Sequence, residues 1–179
     1  MVRTVYRVAV SLDGYIADFH GSLPGLLSSA GPAGREQAGG GPLERVGALV
    51  MGAETYRLLQ APGAPAWAFG TIPAWVFTHH EFAGVEGANI TFVRGDVAEF
   101  HPDLTADAGA KDLWLLGGGD LAGQFMDRGL VDELILTLVP VILGGGRPLL
   151  RAGTTAVPAV LAGARALEDG LVELRYSFR

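Results

Sequence analysis

The stretch LWLLGGGDLAGQFMDRGL sets three glycines, Gly117, Gly118 and Gly119, between an apolar run and a helix-like pattern opened by Asp120 and Leu121. Glycine has no Cβ, so a ligand can approach its backbone closely. Where a helix starts, the amides are unpaired and the end of the dipole is positive. A phosphate is stabilised there without any cationic side chain. The same glycines also suit a plain strand-to-helix turn that needs positive backbone dihedrals. The triplet lacks both the GxGxxG spacing of the common dinucleotide fold and the GK[ST] ending of a P-loop. Those two families are excluded, and on the triplet alone cradle and turn stand level. A second turn of this kind, Gly52 followed by Ala53 and Thr55, separates the run VGALVM from a helical pattern.

Other residue types bound the chemistry further. Thr78, His79 and His80 close the run AWVFTHH. Neighbours on a strand point to opposite faces and no third ligand lies nearby, so no metal is expected at the histidines. There is no cysteine, which removes disulfides, thiolate catalysis and thiolate metal sites. The segment GGGRPLL, residues 144–150, reads as a loop. Its Arg147, or the nearby Arg151, could bind a phosphate or stand as an ordinary solvated arginine.

These turns need a scaffold. TVYRVAV alternates as a strand, and SLDGYIAD adds a bend and a second short extended piece. Residues 21–42 are rich in Gly, Pro, Ala and Ser and read as a loop, with room for a short helix at either end of REQAGGGPLERV. VGALVM is a buried strand, and AETYRLLQ a helix closed by Pro62 and Gly63. AWVFTHH and NITFV are further strands, and VAEFHPDL covers a short helix. KDLWLL is a strand; in GDLAGQFMDRG, Leu121, Phe125 and Met126 share one helix face and Gly129 ends it. VDELILTLVPVIL contains a long strand, and LVELRYSF alternates as a half-exposed one. Trp114 and Phe125 sit in apolar periodic runs and are expected in the core. Strands alternate with helices through the middle and the end is strand-rich. The expected fold is one α/β domain over residues 1–179, with a mostly parallel sheet and an antiparallel C-terminal edge. In such a sheet ligands bind at the carboxyl ends of the strands.

Composition excludes several function classes. The 179 residues carry a net charge of −6, with 49% hydrophobic and 18% charged residues. Lys111 is the only lysine beside twelve scattered arginines, which argues against general nucleic-acid binding. The N-terminus has arginines within its apolar stretch and does not read as a signal peptide. LILTLVPVIL is half the length of a spanning helix and contains Pro140. No membrane partner is expected, and the location expected is the cytoplasm.

Taken together, SLDGYIA, VMGAETY, WVFTHH and LLGGGDLAGQFMDRGLVDELILTLVPVILGGGRPLL, in this order, resemble the dihydrofolate reductase-like superfamily. The likeness is greatest to the reductase domain of bifunctional riboflavin-biosynthesis enzymes and its stand-alone bacterial relatives. It runs from about residue 5 to residue 150. The resemblance implies a three-layer fold with a central sheet of about eight strands, flanking helices and NADPH along the carboxyl edge. It implies that Gly52, Ala53 and Thr55 approach the pyrophosphate from one side and Gly117, Gly118, Gly119, Asp120 and Leu121 from the other. A cis peptide between Gly117 and Gly118 is part of the same pattern. Thr78, His79 and His80 fall where the adenosine end would lie, and Thr137 matches a strand threonine facing the substrate.

Three positions depart from the family. Ala53 replaces an arginine. His79 and His80 stand where an arginine usually reads the 2′-phosphate, which admits NADH beside NADPH because histidine is only partly charged near neutral pH. The DG turn lacks the tryptophan and acid that commonly follow it. Asp13 is then the first candidate proton donor, with Asp18, Glu36 and Glu44 as fallbacks; the alternative for Asp13 is a carboxylate that caps its own turn. The implied activity is reduction of a pyrimidine- or pteridine-type heterocycle, foremost 5-amino-6-(5-phosphoribosylamino)uracil. Dihydrofolate is the second substrate to consider, and a nucleotide-binding module without catalysis the alternative of another class. A homodimer is the expected assembly.

Overall fold

A computed structural model describes residues 2–19, 43–61, 66–151, 153 and 156–178. Ten strands alternate with three helices among them: β1 Thr4–Ser11, β2 Tyr15–Ala17, β3 Val46–Gly52, α1 Ala53–Leu59, β4 Ala74–Phe77, β5 Ile90–Val93, α2 Val97–Ala108, β6 Asp112–Gly117, α3 Gly119–Asp127, β7 Glu133–Val139, β8 Arg147–Pro148, β9 Val160–Ala166 and β10 Val172–Ser177. Eight strands form one sheet in the order β5-β4-β3-β6-β1-β7-β10-β9. Every pair from β5 to β7 is parallel, and β7/β10 and β10/β9 are antiparallel. This is the α/β fold expected from the alternation of elements.

Period-two alternation divides the core between the two faces of the sheet. Tyr6 and Val10 of β1, Val50, Leu113, Leu115, Leu134 and Leu136 pack against Leu104 of α2 and Leu121 and Phe125 of α3. On the opposite face Leu49, Met51, Val76 and Trp114 pack with Tyr56 of α1 and Phe69. Helices therefore cover the sheet on both sides, in three layers. Trp114 and Phe125 are both core residues, 5% and 0% exposed.

The structure adds four local details. The helix begun by VAEFHPDL runs on to Ala108, because Leu104 and Ala108 continue the buried stripe started by Val97. Its N-cap Asp96 accepts from Ala98 N at 2.9 Å and is also ion-paired with Arg128, which ties the start of α2 to the end of α3. Within GGGRPLL, Arg147 and Pro148 form β8, paired with β2 rather than left as loop. Residues 160–166, VLAGARA, form the edge strand β9, which no alternation announced. The strand in VDELILTLVPVIL ends at Val139, before Pro140. Of the Gly21 to Pro42 segment and REQAGGGPLERV, all but the 3-10 turn Leu43–Arg45 and the first residue of β3 lies outside the described residues. Among the described residues no helix is long and apolar enough to cross a membrane.

Candidate functional site

Parallel pairing of β3 with β6 brings the two glycine turns side by side at the carboxyl ends of their strands, with Met51 opposite Gly117. A Cβ built on Gly52 would lie 3.8 Å from Gly117 O and Gly118 N, and 3.9 Å from Leu121 Cβ. One built on Gly118 would meet only Thr55 Oγ1, at 4.0 Å. Gly52, Thr55, Gly117, Gly118 and Leu121 thus share one small volume, and the Gly118 side of it is open. The Gly117-Gly118 peptide is cis. Gly117 has φ of 99° and sits over the buried Tyr6 ring. Gly119 opens α3 pressed against another segment: a Cβ there would run into the Pro148 carbonyl oxygen and come within 3.0 Å of that of Leu149. These three glycines stand in three different settings: a positive φ at Gly117, open space beside Gly118 and close packing at Gly119.

The segment that presses on Gly119 closes the rim of this volume. Arg151 N donates to Gly119 O at 3.2 Å, Leu149 N to Gly14 O at 2.9 Å, and Tyr6 OH to Leu149 O at 3.0 Å. Its two arginines meet the first-turn acids of the two helices: Arg147 lies 3.3 Å from Glu54 of α1 and Arg151 lies 3.4 Å from Asp120 of α3. All four side chains are exposed, so these pairs add little stability. They do offset two negative charges beside amides that would otherwise attract an anion. Both arginines are thus solvent-exposed and pair with carboxylates at the surface.

Thr78 directly follows β4, with its amide on Val93 O at 2.9 Å, and its Oγ1 accepts from His80 N at 2.9 Å. The hydroxyl shapes its own turn, while the His79 and His80 side chains are exposed. Next to them stands a cation that the sequence reading passed over. Arg94, just beyond β5, donates from Nη2 to His79 O at 2.8 Å. A guanidinium is thus present at the turn where the usual arginine is missing. Its only sequence signal is a position directly after NITFV, which gains meaning once β5 is placed parallel to β4.

Asp13 is occupied. Its carboxylate accepts from Ser11 Oγ at 2.6 Å, Gly144 N at 2.7 Å and Leu143 N at 3.1 Å. The Ser11 hydroxyl foremost, with the two amides, holds its pKa below the usual aspartate value. It is therefore an ionised acceptor near neutral pH that fastens the β7–β8 loop, so it binds amides of a distant segment rather than capping those of its own turn. Among the fallbacks, Glu44 lies in the turn before β3, at the amino end of a seven-residue strand, so roughly 23 Å separates it from the glycine edge. Asp18 follows β2 and makes contacts of its own. Glu36 lies outside the described residues.

Thr137 lies in β7, level with Ala9 of β1 on one side and Glu173 of β10 on the other. It is 1% exposed, and its Oγ1 has no hydrogen-bond partner among the described residues. It stands on the face opposite α2 and α3, two strands from β6, or roughly 10 Å across. Among the described residues no three His, Asp or Glu side chains converge as metal ligands would.

Comparison with known proteins agrees with this architecture. Residues 57–172 match the family model described as the RibD C-terminal domain. An uncharacterized protein of Bacillus subtilis strain 168, YwjB, is 29% identical over 174 residues, 97% of each chain. A crystal structure of a protein named for riboflavin biosynthesis from Shewanella sp. PV-4 superposes with a TM-score of 0.84 at 28% identity, covering 99% of both chains. The diaminohydroxyphosphoribosylaminopyrimidine deaminase/5-amino-6-(5-phosphoribosylamino)uracil reductase of Thermotoga maritima shares the fold at 14% identity, with a TM-score of 0.70. There 99% of this chain covers 57% of the larger one. By the family match over well above half its length, the chain belongs to the RibD C-terminal domain family, the riboflavin-biosynthesis reductase-like branch of the dihydrofolate reductase-like superfamily.

Proposed function

We propose that the chain is a cytoplasmic, homodimeric reductase that binds NADPH and reduces a pyrimidine- or pteridine-type ring, with 5-amino-6-(5-phosphoribosylamino)uracil as its substrate. One observation carries the reading: the two glycine turns meet, and the Gly118 backbone faces open space bounded by Thr55 and Leu121. That volume suits a pyrophosphate, which needs amide donors and no Cβ in its path. Gly52, Ala53 and Thr55 would line one side of it, and Gly117, Gly118, Gly119, Asp120 and Leu121 the other. Thr78, His79 and His80 would border the adenosine end, with Arg94 as the cation for a 2′-phosphate. NADH lacks that phosphate, so Arg94 is the side chain that would favour NADPH over it.

The bound dinucleotide would supply a hydride to the ring, and the chain's own residues hold the two reactants in line. Asp13 does not serve as proton donor in this reading, because its oxygens are already engaged. The experiment is direct. Purified protein with 5-amino-6-(5-phosphoribosylamino)uracil and NADPH should bleach the nicotinamide absorbance, and absence of turnover overturns the substrate assignment. Dihydrofolate in parallel separates the pyrimidine from the pteridine version. NADPH binding by calorimetry without turnover on either ring would favour a nucleotide-binding module.

A further inference from the structure

Asp-Gly occurs twice in the chain, at 13–14 and at 169–170, and the two pairs stand in opposite settings. Asp13 is held by Ser11 Oγ, Gly144 N and Leu143 N, and Gly14 N donates to Ser11 O at 3.0 Å. Carboxylate and following amide are both occupied there. Asp169 is exposed, and its carboxylate makes no hydrogen bond or ion pair among the described residues.

Turn geometry explains why the second pair is present. β9 and β10 are antiparallel neighbours, and the 3-10 turn Glu168–Gly170 lies between them. Leu171 N donates to Glu168 O at 3.1 Å, Asp169 has φ of 57° and Gly170 has φ of 75°. Two successive positive φ values are what a type I′ turn requires, and Asp-Gly is one of the pairs that supply them. Asp169 is also the sole non-glycine residue with positive φ among the described residues. The same requirement leaves the backbone accessible. Gly170 has no side chain over its nitrogen, and a Cβ built there would meet only Pro140 Cγ, at 3.6 Å.

We propose that Asp169 is a covalent modification site, at which the main chain passes from the backbone carbonyl to the side-chain carboxyl carbon and leaves an isoaspartyl residue. The Gly170 nitrogen attacks Cγ of the protonated carboxyl group. The N–Cγ bond forms, the Cγ–OH bond breaks, and the hydroxyl leaves as water with the amide proton. Water then adds to the Asp169 backbone carbonyl of the succinimide and breaks its bond to nitrogen, so that Gly170 stays joined through Cγ. Nothing is oxidised or reduced, and water is the only co-reactant. Asp13 is protected from the same step, because its three donors hold it ionised and fixed.

The added main-chain carbon falls between two anchors. Leu171 is 1% exposed and packs with Ala9 and Val139, and its carbonyl accepts from Leu167 N at 2.8 Å. Lengthening the turn between Leu167 and Leu171 breaks the bond from Leu171 N to Glu168 O and loosens this end of the β9–β10 hairpin.

Peptide mapping of the full chain tests this after weeks at physiological temperature and neutral pH. Trypsin releases residues 166–175 with Asp169 and residues 8–35 with Asp13. An isoaspartyl carboxyl methyltransferase with labelled S-adenosylmethionine should mark 166–175 and leave 8–35 unmarked, and a form of 166–175 lighter by one water should precede the label. In urea both peptides should be marked, since the fold no longer protects Asp13. Asp169→Gly suits the positive φ and should lose the label, and the aged wild type should melt below the aged variant. No label in 166–175, equal label in 8–35 of the folded chain, or the same selectivity in urea would overturn the proposal. The wild-type maps decide it even where the variant fails to fold.

Discussion

Replacing Thr137 by valine exchanges a hydroxyl for a methyl of nearly the same volume, and the structure fixes the sign of the result. A buried hydroxyl without a partner costs roughly 1–3 kcal/mol, because it has left water and gained nothing. Burying a methyl in its place is worth up to about 0.8 kcal/mol. Repacking takes back part of the gain, so about 2 kcal/mol in favour of the variant is a fair expectation. Unfolding entropy scales at roughly 2.1 cal/mol/K per residue, and for 179 residues that is about 0.4 kcal/mol per degree. The variant should therefore melt about 5 °C higher, by calorimetry without cofactor or substrate. In steady-state assays it should show a raised KM for the ring and an unchanged KM for NADPH. A higher melting temperature with weaker substrate binding marks a group retained for its ligand rather than for the fold. A fall in melting temperature of the same size would refute the reasoning, since it would mean that the hydroxyl is hydrogen-bonded in the native protein.

Gly119→Ala should destabilise the fold by about 1–3 kcal/mol in urea titration, because the new methyl meets the Pro148 and Leu149 carbonyls; an unchanged midpoint would contradict that packing. Arg94→Gln should weaken NADPH far more than NADH, read as the ratio of their dissociation constants, and an unchanged ratio would remove Arg94 from the 2′-phosphate. Asp13 has a native pKa below its unfolded value, so its contribution is present above about pH 4 and is lost as the pH falls through the lowered native value. Asp13→Asn should accordingly melt below the wild type at pH 7, and the two curves should converge as the pH falls below the lowered native value. Val157, Val160 and Leu161 are 41%, 61% and 55% exposed on or beside the edge strand β9, a surface that a second copy would cover. Leu161→Arg should shift sedimentation from a dimer to the 18.7 kDa species, and a wild type that already sediments as that species would end the homodimer proposal.

The glycine edge was legible because each of its parts is local. An apolar run, a glycine and a helical period identify a strand, a turn and a helix within some fifteen residues, and parallel pairing then sets Gly52 beside Gly117 and Gly118. β9 was not legible: its burial pattern is almost wholly exposed and four of its seven residues are alanine or glycine, so VLAGARA has no inward face to alternate. β8 is two residues long and carries a proline, too short for any period to register. Alternation also misleads in a specific way in LVELRYSF. Glu173 and Arg175 sit at every second position, which reads as a solvent face, yet Glu173 is buried. Period two assigns a residue to a face and says nothing about what lies over that face. Arg7, Thr137 and Glu173 come from the first, seventh and tenth strands in chain order, and the sheet order β1-β7-β10 alone makes them neighbours. A glycine edge built from strand-turn-helix units can be read from a single window of sequence. A cluster of polar groups drawn from adjacent strands requires the order of the sheet first, and for that reason its members pass as ordinary strand residues.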